Sequence, residues 1–114
     1  MRSLALVVLL AAACGGAPAL TPPPGVVVFV AQDTAFTTTQ VNAPANVAFT
    51  LWFDNRDHEL HNVHISDANA MTVFTGQLFT GPEARTEQVP ALPAGTYSFK
   101  CDIHPQMTGE LIAQ

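Results

Sequence analysis

Charge is scarce in this sequence, and positive charge scarcest of all. Only 11% of its 114 residues are charged, with four Lys and Arg against nine Asp and Glu, for a formal net charge of −5. Three basic residues beyond Arg2 leave no electrostatic footprint for DNA or RNA, so nucleic-acid binding is excluded. The chain shows no internal repeat and no helical periodicity of useful length. It has no Gly-rich phosphate loop, no Ser/His/Asp arrangement and no pair of carboxylates with an obvious shared site, so no enzymatic machinery is expected. Long hydrophobic runs are missing too. The apolar run Leu4–Ala13 has ten residues, too short for a bilayer span of about 20.

That run, preceded by Arg2, instead matches the apolar region of a secretory signal over residues 1–13. Ala11-Ala12-Ala13-Cys14-Gly15-Gly16 resembles the lipobox of bacterial lipoproteins, although Ala11 stands where Leu is preferred. The resemblance implies a lipidated Cys14 and membrane attachment through that lipid. An ordinary cleaved signal with a stray Cys is the alternative, and either implies export, to a periplasm or cell surface. Residues 14–25 continue into Gly-Gly-Ala-Pro-Ala-Leu-Thr-Pro-Pro-Pro-Gly, the composition of an extended tether rising about 3.1 Å per residue in its Pro-rich part. The globular domain is then 26–114. A core of that size is marginal by surface-to-volume reasoning, and a bound metal would stabilise it.

Cysteine is nearly absent: Cys14 and Cys101 only. With Cys14 lipidated or lost, Cys101 is alone in a compartment where thiols oxidise. A disulfide framework is impossible, and an unpaired Cys in an exported domain points to a reactive or metal-bound thiol. What the chain does have is short strand-like runs between turn residues. These are Val26–Ala31, Phe36–Val41, Val47–Phe53 (Val47, Phe49, Leu51 and Phe53 on one face), His61–Ile65, Met71–Phe74, Thr86–Val89, Thr96–Cys101 and Gly109–Ile112. Asn42–Asn46 and Pro90–Gly95 read as turns, and Asp54–Leu60 as a polar loop. Seven to eight strands in a domain this small predict an all-β Greek-key β-sandwich.

The chemistry is concentrated near the C-terminus, where Cys101, His104 and Met107 form a Cys-x2-His-x2-Met array. Tyr97, Phe99 and Cys101 alternate in phase, so the thiol emerges on the buried face at a strand end. A fourth ligand must come from elsewhere, and period-two phasing selects His61, which shares a face with Val63 and Ile65. His64 falls on the opposite face, and His58 lies in a loop of charged neighbours. A thiolate, two imidazoles and a thioether select one copper ion, since a His2Cys plane with a weak axial Met defines a blue-copper electron-transfer site. Zinc has little use for a thioether.

These residues resemble the cupredoxins, the small blue-copper family that includes plastocyanin and amicyanin. The resemblance covers 26–114 and rests on His61-Asn62-Val63 after a strand ending Phe53-Asp54-Asn55, and on Tyr-x-Phe-x-Cys running into the ligand array. The short ligand spacing is similar to that of amicyanin. The resemblance implies that the Asn62 backbone N–H donates to the Cys101 sulfur. It also implies that His104 is the exposed ligand, emerging through an apolar patch beside Pro105, with Ala43-Pro44 and Gly81-Pro82 as candidate patch members. Leu60 replaces a common Pro. Asp102 stands where Thr or Ser is common, which leaves the usual side-chain link to Asn62 open.

Taken singly, each ligand candidate could be a core residue; jointly, and in an exported chain, they point to copper. His58 and His64 read as surface residues, with collection of a second metal as the alternative. Trp52 reads as outer-face packing, and Asp54, Asp57, Glu59, Asp67, Glu83 and Glu87 as a solvated surface. The binuclear copper domain of respiratory oxidases needs two Cys on its ligand loop, and here there is one. The expected protein is a monomeric shuttle of single electrons between redox protein partners outside the cytoplasm. A copper carrier or buffer delivering Cu(I) is the alternative, and a metal-free adhesive sandwich a third reading.

Overall fold

The computed structural model describes residues 20–114; the expected signal segment, Cys14 and the start of the tether lie outside the described residues. Eleven strands follow in order: β1 Val27–Gln32, β2 Ala35–Phe36, β3 Gln40–Ala43, β4 Phe49–Asn55, β5 Leu60–His61, β6 His64–Ser66, β7 Thr72–Thr75, β8 Phe79–Thr80, β9 Glu83–Val89, β10 Gly95–Cys101 and β11 His104–Ala113. One sheet runs β2-β1-β4-β9, the second β3-β11-β10-β6-β7, and β5-β8 form a short ribbon. Most neighbours are antiparallel, but β1 runs parallel to β4 and β11 parallel to β3. This is the expected all-β Greek-key sandwich.

Alternation builds the layers. In β10, Tyr97, Phe99 and Cys101 are buried while Ser98 and Lys100 are exposed, the period-two signature of a strand with one wet face. Phe99 lies at the centre of an aromatic cluster, edge-on to Phe29 at 5.0 Å and to Phe36 at 4.9 Å between centroids. Such edge-to-face pairs fix ring positions beyond what burial alone would do. At the far end of the sandwich the Tyr97 hydroxyl donates to Pro93 O at 2.7 Å, tying down the Pro-rich turn before β10.

Four details differ from the sequence expectation. The expected strand Phe36–Val41 divides into β2 and β3, and His61–Ile65 into β5 and β6, and these two divisions together with the unexpected β8 raise the number of strands to eleven. Val47 is 52% exposed because β4 starts only at Phe49. The strand also runs two residues further than expected: Asp54 and Asn55 pair with Val30 and Ala31 and are buried, so they are not loop residues. Ala43 pairs with Ala113, at the end of β11 opposite His104, on the order of 30 Å away along the strand. Ala43-Pro44 therefore takes no part in a patch around His104. Trp52 is buried outside the main core cluster, in keeping with packing on the outer face of β4.

Gly109 faces Phe99 across the β10–β11 ladder, and a Cβ there would overlap the end of the Phe99 ring. That ring is held by two aromatic neighbours and cannot withdraw. Gly109→Ala should therefore destabilise the domain by roughly 1–3 kcal/mol, the usual range for overpacking. Urea unfolding should show this as a lower midpoint at unchanged slope.

Candidate metal centre

The site forms where β10 and β11 lose register. Lys100 pairs with Thr108, yet the next residue, Cys101, pairs with His104. Pro105, Gln106 and Met107 have no partners on β10, and a bulge of this kind re-aims side chains next to a site. Met107 is accordingly turned into the core at 1% exposure, although Pro105 and Gln106 are exposed. Cys101 is buried at the end of β10, and His61, on β5, has no solvent exposure.

Three of the expected ligands converge. His61 Nδ1 lies 3.1 Å from His104 Nδ1, and Cys101 Sγ lies 3.5 Å from His104 Nδ1 and 3.9 Å from His61 Nδ1. Among the described residues, this is the one group of His, Cys and carboxylate side chains that could share an ion, with donor atoms all within 4.8 Å of one another. Met107 enters the same interior three residues after His104. His58 and His64 stay outside the group. His64 does lie on the outer side, as phasing predicts, but it is engaged: Nδ1 meets Asp102 Oδ1 at 2.8 Å and Nε2 meets Thr72 Oγ1 at 2.9 Å.

Asn62 joins the two ligand segments. Its side-chain carbonyl accepts from the Asp102 backbone N–H at 2.9 Å, and its amide donates to Asp102 Oδ2 at 2.7 Å and to Gly76 O at 3.1 Å. The link left open by the Thr/Ser-to-Asp difference is therefore present. Asn62 is 1% exposed, although strict alternation places it outside; the break between β5 and β6 frees it to turn inward. The sulfur's hydrogen-bonding neighbours among the described residues are the two imidazoles. Asn62 thus reaches the ligand loop through its side chain. Burial works against ionisation of Asp102, but Asn62, His64 and Lys100 outweigh it and hold the carboxyl below the ordinary aspartate value.

The residues that sequence reasoning missed are polar ones in the segment after β4. Buried Asn55 donates to Glu59 O at 2.9 Å and Phe79 O at 2.8 Å, and accepts from the Asp57 N–H at 3.0 Å. It templates the whole turn to His61. Asp57, read as a surface acid, meets His61 Nε2 at 2.8 Å. Burial raises its pKa, yet bonds from the Thr34 N–H, His61 and the Asp33 N–H together bring it below the ordinary value. Glu59 Oε2 lies 3.4 Å from His104 Nε2. The Asp-x3-His spacing was the available signal for Asp57; nothing in the sequence distinguishes Glu59 from a solvated acid. Leu60 and Ile103, next to Glu59 and His104 in the chain, are 45% and 47% exposed and make this end of the sandwich partly apolar.

Residues 3–113 match the family model described as a cupredoxin-like domain, and the chain belongs to that family. Among solved structures it is similar to amicyanin from Paracoccus versutus, at 25% identity over 82% of this chain and 85% of that one, with a TM-score of 0.64. It is also similar to auracyanin A, a "blue" copper protein from the green thermophilic photosynthetic bacterium Chloroflexus aurantiacus, at 20% identity over 78% and 98% of the two chains and a TM-score of 0.67. Auracyanin from Roseiflexus castenholzii gives 14% identity, 76% and 94% coverage and a TM-score of 0.65. No curated protein matches the chain.

Truncating Asn62 would strand the part-buried Asp102 N–H and the buried Gly76 O. Asn62→Ala should cost roughly 1–3 kcal/mol for the unpaired groups. Chemical denaturation of the metal-free protein measures this without reference to any bound ion.

Proposed function

We propose that the domain is a type 1 copper protein that carries single electrons between redox protein partners. The observation that carries this reading is the convergence, in a buried site, of one thiol and two imidazole nitrogens within 4.8 Å. The donor set fits copper: sulfur suits the reduced ion, imidazole suits both oxidation states, and a thioether as a weak fourth donor is diagnostic of the blue-copper class. Cys101, His61 and His104 would supply the strong donors, and Met107 the weak thioether one. Copper, when bound, supplies a one-electron couple.

The chain's own residues hold the frame still. Asn62 locks the turn after Cys101, Asn55 locks the turn before His61, and β10 and β11 fix Cys101 and His104 on adjacent strands. Ligands that do not move between oxidation states keep reorganisation small, which is what an electron carrier needs. His104 is part-exposed, with the exposed Ile103 next to it in the chain, so it is the ligand through which electrons pass to a partner. The domain performs no substrate chemistry of its own. The sequence supports an exported, monomeric domain 26–114 on a tether 14–25, held to a membrane by lipid on Cys14.

Shuttling is favoured over delivery of Cu(I) by the state of His64. A carrier would benefit from an exposed His/Met cluster, but both ring nitrogens of His64 are engaged within the fold.

Added Cu(II) should bind in a one-to-one ratio and produce intense visible absorption. Cys101→Ser should abolish that absorption while the protein stays folded by circular dichroism; survival of the colour would overturn the assignment. Met107→Leu should keep the absorption and raise the reduction potential, because removing a donor disfavours the oxidised ion more. Cyclic voltammetry reads this shift.

A further inference from the structure

Both imidazoles of the site are arranged alike. Each presents Nδ1 to the shared point, and each turns Nε2 toward a carboxylate on one short segment: Asp57 at 2.8 Å from His61 and Glu59 at 3.4 Å from His104. Asp57 does more than accept from His61. Its Oδ1 accepts from the Asp33 N–H and its Oδ2 from the Thr34 N–H, both at 2.9 Å. Asp33 and Thr34 are the two residues between β1 and β2, and both have φ of 56°. A left-handed conformation is uncommon for a β-branched residue such as Thr34. In return, it aims two successive N–H groups at one anion, a concavity of the kind that binds negative charge.

These contacts decide where the His61 proton sits. A carboxylate held by two backbone N–H groups is stabilised as an acceptor, and an ionised carboxylate can only accept. The third contact must then be a donation from His61 Nε2. With its proton on Nε2, His61 offers the lone pair of Nδ1 to the site. Glu59 biases His104 the same way, more weakly, because its carboxylate is 58% exposed.

We infer that Asp57 and Glu59 are positioning residues that together fix both imidazoles in the Nε2–H form and bias the centre toward its oxidised state, lowering its reduction potential. The inference rests on the copper reading above. Its electrostatic basis is that the oxidised centre carries one more positive charge than the reduced one. Two anions, each one ring away, therefore stabilise the oxidised form more. Asp57 lies close and part-buried; Glu59 acts through solvent and should fade with salt.

Asp57→Asn and Glu59→Gln test this by voltammetry of the copper-loaded protein, alongside nitrogen-15 shifts of the histidine rings in the metal-free protein. Loss of a carboxylate partner to a metal-bound His lowers metal affinity about 10-fold to 100-fold. If Cu(II) alone loses tenfold, the potential of this one-electron couple rises by about 59 mV. Asp57→Asn should show at least that rise, and Glu59→Gln a smaller one that shrinks as ionic strength increases. The metal-free wild type should show His61 protonated at Nε2. Asp57→Asn also disturbs the turn at Asp33 and Thr34 and could unfold it, but no backbone contact depends on the Glu59 carboxylate, so Glu59→Gln keeps the test decisive. Potentials that stay fixed or fall in both variants, or a His61 proton on Nδ1, would overturn the inference while leaving the wild-type copper absorption intact. Absence of that absorption in the wild type would overturn the copper reading and this inference with it.

Discussion

Everything at this site depends on a pair of reciprocal hydrogen bonds across 40 residues of chain, between the side chain of Asn62 and both the backbone and the side chain of Asp102. One partner follows His61 and the other follows Cys101, so the pair sets the separation of the two ligand-bearing segments. It is buried on the Asn62 side, where leaving a polar group unpaired is far costlier than the net value of a typical bond. The segments therefore come together in one arrangement or not at all. The difference at position 102 strengthens the link. A carboxylate has a second oxygen to spare, and here it engages His64, which in turn reaches Thr72 on the edge strand β7. The anchorage of the ligand loop thereby extends from one residue to two further strands.

Rigidity on the opposite side of the centre comes from apolar packing. The bulge between β10 and β11 lets Met107 turn inward, but a bulge alone would also loosen the ladder. It is stabilised two residues further on, where Gly109 admits the Phe99 ring, itself edge-on to Phe29 and Phe36. Polar bonds thus fix the chain on the His61 side and close aromatic packing fixes it on the Met107 side. Holding a site from both directions is what pre-organised coordination requires.

How much of this was legible in the sequence follows from the range of the interactions. Alternation within β10 placed Cys101 inward, and the phase of Val63 and Ile65 singled out His61, because both signals are local and apolar. The ligand array was readable from spacing alone. The polar residues were not. Asp54, Asn55, Asp57 and Glu59 look like a solvated loop by composition, yet Asn55 has no exposure and holds the loop together. Whether an Asn or Asp is a surface residue or a template depends on which distant backbone groups face it. Those groups, Phe79 O for Asn55 and the Asp33 and Thr34 N–H groups for Asp57, lie 23 or 24 residues away. Val47 failed for the converse reason: its phase was right, but no strand partner reaches it.

Asp57 ties two requirements to one side chain. The turn at Asp33 and Thr34 holds an uncommon backbone conformation, and such conformations persist where surrounding contacts over-determine them. The carboxylate that satisfies this turn also orients His61. An amide could not serve both: it would face the His61 and Thr34 N–H groups with its oxygen and the Asp33 N–H with another donor, or the reverse. Charge and geometry are therefore inseparable at Asp57. At Glu59 they come apart, since its carboxylate touches His104 and no backbone group. Negative charge can be varied there with the frame undisturbed, so in the proposed copper centre the part-exposed imidazole is where the electronic setting would be adjustable independently of the fold.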